Sequence, residues 1–178
     1  MIDPASSKTE GYHLFLEPSG QLAENLSGVI KELATIYDGP VFAPHVTLLG
    51  RIPGADDASV LKTAKALAAT YAPFSLTLGE LGTEDSYFRA LYMHVTEREV
   101  MKRRHKEALA AFNMEDEQPY TPHLSILYGN YPKETKKKTM HTLEVPVGAT
   151  FKVDTIGVYK TAGLPKNWKK VGEFVCSK

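Results

Sequence analysis

At 178 residues with a formal net charge of zero, the chain has room for one domain or two small lobes folded as a unit, burying roughly two-thirds of its unfolded surface without a staple. The charge balance argues against long nucleic acid held by bulk electrostatics and against an anionic membrane surface, but not against a small anion met by a few aimed donors. A single cysteine, Cys176, excludes an intrachain disulfide framework and a cysteine metal site; Met1 to Glu10 is too polar for a signal peptide and no run reaches membrane-spanning length, so a reducing compartment, cytoplasm or nucleus, is expected.

Taken in order, Tyr12 to Glu17 reads as a strand closed by Pro18, Ser19 and Gly20. Leu22, Leu26, Val29, Ile30 and Leu33 fall at helical spacing, and Gly39 and Pro40 stop that helix. Val46 to Ile52 is a second strand. Val60, Leu61, Ala64, Leu67 and Ala68 mark a second helix, and Phe74, Leu76 and Leu78 alternate along a third strand. Tyr87 to Val95 reads as a loosely alternating strand. Thr96 and Glu99 have capping-box spacing ahead of a helix carrying Val100, Met101, Ala108, Leu109 and Phe112. His123 to Tyr128 is the next strand, Pro132 opens a short lysine-rich helix, Phe151 to Tyr159 reads as one closing strand, and a last strand runs from about Lys169 to Cys176.

This order contains β-α-β-α-β twice, over about residues 12–82 and 87–160, within a single two-lobed unit spanning 1–178. PHVTLLG at Pro44–Gly50 and PHLSILYG at Pro122–Gly129 stand at matching places. At average residue usage a given histidine is followed by an apolar residue and then Thr or Ser roughly one time in ten or less. A matched pair with proline before each histidine is far rarer. Residues i and i+2 of a strand share a face. His45 with Thr47, and His123 with Ser125, therefore each present an imidazole and a hydroxyl together, while Val46 and Leu48 turn to a core. Brought across one cleft, the two dyads meet a tetrahedral anion with two proton-transfer groups and two donors. Opening a cyclic phosphodiester needs this set: one imidazole takes a proton from water, the other gives one to the leaving oxygen, and the hydroxyls hold the non-bridging oxygens. No covalent intermediate, metal or other cofactor is required. Neither motif has an H-x-x-x-H pair, a cysteine or an adjacent carboxylate to suggest a metal site.

Over nearly its whole length the chain resembles the 2H phosphoesterase superfamily, named for two H-x-T/S-x motifs, and within it the plant and fungal cyclic nucleotide phosphodiesterases. The strand ending in Pro18, Gly39–Ile52, Tyr87–Val95 and Thr121–Gly129 lie in family order. The resemblance implies an α+β, bilobal LigT-like fold, two antiparallel sheets around a central cleft with pseudo-two-fold symmetry. It implies hydrolysis of ADP-ribose 1″,2″-cyclic phosphate to the 1″-phosphate and of nucleoside 2′,3′-cyclic phosphates to 2′-phosphates. His45 and His123 carry over as the acid–base pair, Thr47 and Ser125 as phosphate binders, and Tyr128 as a tyrosine reaching the same cleft. Strand parity turns Tyr128 away unless a bulge re-aims it. The disulfide cysteines of plant members are absent, which removes any redox gating built on them.

Phe42, just ahead of the first motif, is expected at the cleft rim as a base-stacking platform, with most other aromatics in the core. His13, His94, His105 and His141 are read as structural or solvated, His105 on the solvated face of a basic helix, and Lys136–Lys138, Lys166, Lys169 and Lys170 as charged surface. The expected partner is a small cyclic nucleotide bound by a monomer, with no long nucleic acid and no membrane. Rival readings are a 2H enzyme acting on RNA ends, 2′–5′ oligonucleotides or cyclic dinucleotides, and a non-catalytic nucleotide-binding module.

Overall fold

The computed structural model describes residues 9–178 apart from residues 55, 117 and 118, so the reading of the polar N-terminal stretch falls largely outside the described residues. Chain order is β1 (Tyr12–Leu16), α1 (Gly20–Tyr37), β2 (Val46–Ile52), α2 (Asp57–Ala69), β3 (Phe74–Gly82), β4 (Leu91–Val95), α3 (Arg98–Ala111), β5 (His123–Leu127), α4 (Lys133–Thr142), β6 (Thr150–Val153), β7 (Thr155–Lys160) and β8 (Lys169–Val175). Among the described residues no helix is long and apolar enough to cross a membrane.

The strands follow the order β6-β3-β4-β5-β2-β1-β7-β8, every neighbouring pair antiparallel. Two four-stranded leaves, β6-β3-β4-β5 and β2-β1-β7-β8, meet at a seam between β5 and β2 where only Val46 and Leu124 are registered. Counting outward from the seam, β5, β4 and β3 lie opposite β2, β1 and β7. β3 therefore leaves the strands that precede it in sequence to complete the other leaf, and β7 does the reverse. The helices exchange in the same way: α1 packs on β5 and α3 on β2. Leu26, Ile30, Leu33 and Ala34 of α1 and Met101, Ala108 and Leu109 of α3 are buried, as are Val46, Leu48, Leu124 and Ile126 of the two strands at the seam. Burial of this apolar area, at about 25 cal/mol per Å², ties both leaves into one core.

Three sequence-based expectations are corrected. Phe151 to Tyr159 is not one strand: β6 pairs with β3 at one edge of the sheet and β7 with β1 near the other, the chain breaking at Asp154. The buried residues change phase there, from Phe151 and Val153 to Ile156 and Val158. Tyr87 to Val95 is a 3-10 turn (Tyr87–Arg89) followed by β4, because the Arg89 N–H donates back to the Ser86 carbonyl at 3.1 Å and the Tyr87 carbonyl is taken by Gly129 N–H at 2.8 Å. The Thr96–Glu99 capping box does not form. Glu97 is the N-cap residue of α3 with no side-chain cap bond, and its carboxylate accepts the Thr77 N–H at 2.8 Å instead, tying the helix start to β3.

Both seam strands carry the same irregularity. Leu14 and Phe15 of β1 pair with Leu49 and Thr47, leaving Leu48 as an extra residue; Leu91 and Tyr92 of β4 pair with Leu127 and Ser125, leaving Ile126 extra. Each is a bulge placed directly after the hydroxyl residue, and each inverts the inside–outside alternation beyond it.

Candidate active site

A cleft of about 860 Å³ opens over the seam and is lined by His45, Thr47, His123, Ser125 and Tyr128 together. The register at Val46–Leu124 accounts for this. Antiparallel continuation from that pair sets His45 across from Ser125 and Thr47 across from His123, all on the face opposite the buried Val46 and Leu124. The bulge at Ile126 explains Tyr128, which strand parity alone would have turned away.

The two imidazoles are held by one device. His45 Nδ1 lies 2.7 Å from the Ala43 carbonyl and His123 Nδ1 lies 2.8 Å from the Thr121 carbonyl, in each case two residues back. A carbonyl only accepts, so both neutral rings carry their proton on Nδ1 and keep Nε2 as the free, basic nitrogen. Burial lowers both rings to about 4, the carbonyl bond offsetting part of that shift; for His123 the nearby Arg89 charge adds to it.

The hydroxyls differ. Thr47 is half-buried in the cleft wall with its Oγ1 making no protein hydrogen bond among the described residues, while Ser125 Oγ donates to the Phe88 carbonyl at 2.7 Å. Burial pushes the Tyr128 phenol up, the Ser125 hydroxyl acting the other way, and both side chains line the cleft.

Phe42 is a correction. It is 7% exposed and absent from the cleft wall, its ring stacked on Tyr128 with centroids 3.7 Å apart, so it backs the tyrosine rather than facing a ligand. Besides Tyr120 and Tyr128, the cleft aromatics are Phe15, stacked on His45 at 3.7 Å, and Phe88 and Trp168. Trp168 Nε1 is buried without a partner. Its position in the turn before β8 gives no periodic signal that would single it out from the other aromatics offered as a stacking platform.

His105 does not lie on a solvated face. Its Nδ1 donates to the Leu48 carbonyl at 2.8 Å and its ring stacks on Tyr120, whose hydroxyl donates to the Thr47 carbonyl at 2.8 Å. These bonds tie His105 of α3 and Tyr120 to the two carbonyls at the β2 bulge. Lys136 is 3% exposed and bound to Asp85 at 2.6 Å and to the Glu84 carbonyl at 2.7 Å, a structural contact away from the cleft. Missed by pattern reading were His13, Arg51 and Arg89, which also line the cleft. No group of three or more histidine, cysteine or acidic side chains placed to hold a metal ion occurs among the described residues.

Residues 24–164 match the profile of the 2′-5′ RNA ligase superfamily. A protein named cyclic phosphodiesterase from Arabidopsis thaliana is 26% identical over 160 residues, covering 86% of this chain and 87% of that one. Among solved structures, Escherichia coli LigT complexed with 3′-AMP superposes with a TM-score of 0.66 at 12% identity over 96% of this chain and all of that one. A protein from Thermus thermophilus superposes with a TM-score of 0.67 at 17% identity over 93% of this chain and 97% of its own.

Proposed function

Because this chain belongs to the 2′-5′ RNA ligase superfamily of 2H phosphoesterases and is a phosphoesterase, we propose that it hydrolyses small cyclic phosphodiesters by two-histidine acid–base catalysis. The substrates are ADP-ribose 1″,2″-cyclic phosphate, opened to the 1″-phosphate, and nucleoside 2′,3′-cyclic phosphates, opened to 2′-phosphates. The observation that carries the reading is the matched backbone pinning of His45 and His123, which leaves an Nε2 from each strand free at one cleft.

Water attacks phosphorus as one Nε2 accepts its proton. The other imidazole, protonated at Nε2, gives its proton to the ring oxygen as the P–O bond to that oxygen breaks. The products are a monoester and a free hydroxyl, with the histidines' protonation states exchanged. A bound phosphodiester anion favours the imidazolium and so lifts the pKa of the acid from its value in the empty cleft. Thr47 Oγ1, with no protein partner among the described residues, is ready to donate to a non-bridging oxygen. Ser125 reaches the phosphate by rotating away from the Phe88 carbonyl, with the Tyr128 hydroxyl beside it as a further donor. The name of the Arabidopsis relative supports the cyclic substrate class, and zero net charge favours a small ligand over a long strand.

Incubation with the four nucleoside 2′,3′-cyclic phosphates, ADP-ribose 1″,2″-cyclic phosphate and a 2′–5′-linked dinucleotide, followed by chromatography, tests this directly. The expected result is 2′-phosphate from the first set, 1″-phosphate from the second and little turnover of the dinucleotide. Preferential cleavage of the 2′–5′ linkage overturns the cyclic-phosphodiester reading.

A further inference from the structure

The cleft does not stop at the histidine pair. Beyond the pair its wall continues to His13, Leu49, Gly50 and Arg51 and to Asn113–Asp116 and Pro119, a part of the cleft called its arm. At about 860 Å³ the whole cavity lies in the upper part of the roughly 300–1,000 Å³ range of small-molecule sites. The only arginines or lysines in its wall among the described residues are Arg51 and Arg89, and they differ in kind. Arg89 is already ion-paired, its Nη2 2.5 Å from Glu84, and its guanidinium lies over the Tyr92 ring at 5.1 Å. Arg51 takes part in none of the ion pairs among the described residues.

Arg51 is also set in place at a conformational cost. Its φ is +55°, a left-handed conformation uncommon for any residue other than glycine. It lies in the stretch where β1 and β2 slip register between the Tyr12–Ile52 and Leu14–Leu49 pairs. Strain of this kind persists where surroundings over-determine it and clusters at ligand sites. Next to it, His13 is 8% exposed, with its Nδ1 2.8 Å from Thr161 Oγ1, which itself donates to the Gly11 carbonyl. The His13 ring lies so close to Gly50 that a Cβ there would stand 2.8 Å from its Cδ2. Burial, with the charges of His45 and Arg51, holds this imidazole neutral down to about pH 3. Among the described residues the carboxylates lining the arm are Glu115 and Asp116; Asp116 faces His105 Nε2 at 3.8 Å and neither pairs with Arg51.

We propose that Arg51, seated beside His13 in this arm, is a second anion subsite that selects cyclic phosphodiesters carrying a further phosphate group away from the reacting phosphorus. The inference rests on the cyclic-phosphodiester reading for its reaction, but not for its binding. A plain nucleoside 2′,3′-cyclic phosphate leaves the arm's cation unmatched, whereas a 5′-phosphate or a pyrophosphate bridge offers the guanidinium a planar bidentate contact.

The test compares wild type, Arg51→Ala and Arg51→Lys in two assays. Steady-state kinetics use adenosine 2′,3′-cyclic phosphate with and without a 5′-phosphate. Calorimetry measures binding of adenosine 5′-diphosphate and of adenosine, neither of which needs catalysis. Arg51 is exposed, so Arg51→Ala is expected to lower the ratio of kcat/KM values, phosphorylated over plain, by about two- to fivefold, the scale of one exposed charge pair. It should weaken adenosine 5′-diphosphate binding by a similar factor relative to adenosine, with Arg51→Lys in between. If wild type turns over neither substrate, the phosphodiesterase reading fails and the calorimetry still decides the subsite. An unchanged kinetic ratio in an active enzyme, or equal loss of both ligands in the binding assay, overturns the proposal.

Discussion

The two histidine strands share a backbone and differ in their neighbours. At β2 and at β5 the same proline–histidine step sets Nδ1 on the carbonyl two residues back, and the same one-residue bulge follows the hydroxyl. Around them, His45 lies under the face of Phe15, with Glu17 as the nearby charge, whereas His123 meets the edge of Tyr92 at 5.3 Å and has Arg89 nearby. Among the described residues Thr47 Oγ1 has no protein partner, whereas Ser125 Oγ donates to the Phe88 carbonyl. The duplicated part is what fixes tautomer and aim. The divergent part sets which side favours a charged ring and which hydroxyl is ready. On the proposed acid–base mechanism, opposite charges beside otherwise matched imidazoles would be a physical basis for dividing acid and base between them.

The largest expected effect tests the shared part. His45→Ala and His123→Ala should each reduce kcat by about 10²–10⁴-fold, the value of one proton-transfer partner. The double variant should fall well short of the product, because both rings act on one transition state. Near-normal turnover from either folded single variant would remove that histidine from the mechanism and end the equivalence of the two strands.

Next comes the contrast between the hydroxyls. Thr47→Val should lower kcat/KM by roughly 10–10³-fold, the scale of one aimed donor, with little change in Tm, since its hydroxyl has no protein partner to lose. Ser125→Ala should lower kcat/KM less and Tm more, because its bond to the Phe88 carbonyl is worth about 0.5–1.5 kcal/mol and Tyr128 remains as a donor beside it. Melting temperature and kinetics on the same preparations separate the cases. The reverse ranking would mean that Thr47 is an ordinary strand hydroxyl and that Ser125 alone faces the phosphate.

Local patterns carried the strands, the helices and the four dyad residues, because period-two and helical spacing record which face is buried. The phase change between Val153 and Ile156 also records where the closing strand breaks, though a continuous β-rich run masks it. What local patterns did not record is exchange between the halves. Nothing in Phe74–Gly82 says that it joins β4 rather than β1, since that is decided by which edge the folded leaves present. Phe42 shows the same limit: adjacency to a motif in sequence left it behind Tyr128, while a turn more than a hundred residues later brought Trp168 to the cleft. Arg51 escaped notice because its left-handed backbone follows from the register slip, which only pairing reveals.

The smallest expected effect is on the acid side of stability, where the two strands should again behave alike. An unfolded histidine titrates near 6.5, while burial lowers His45 and His123 to about 4 and His13 to about 3. Between about pH 6.5 and 4 the unfolded chain therefore holds more protons than the folded one, so stability is present above that window and is lost as pH falls through it. Each histidine adds a slope of at most one proton, about 1.4 kcal/mol or tenfold in the folding equilibrium per pH unit. Denaturant titrations at several pH values should show His45→Asn and His123→Asn each flattening the slope by about one proton, with His13→Asn a third and similar step. The kinetic counterpart has the opposite direction. A bound anion favours the imidazolium, so the pH profile of kcat should lie to the alkaline side of the profile of kcat/KM, which reports the free enzyme. Coincident profiles would mean that the phosphate does not charge either ring. An acid slope untouched in only one of the two cleft variants would show that one imidazole is already solvated, and the symmetry of the seam would then extend to backbone geometry alone.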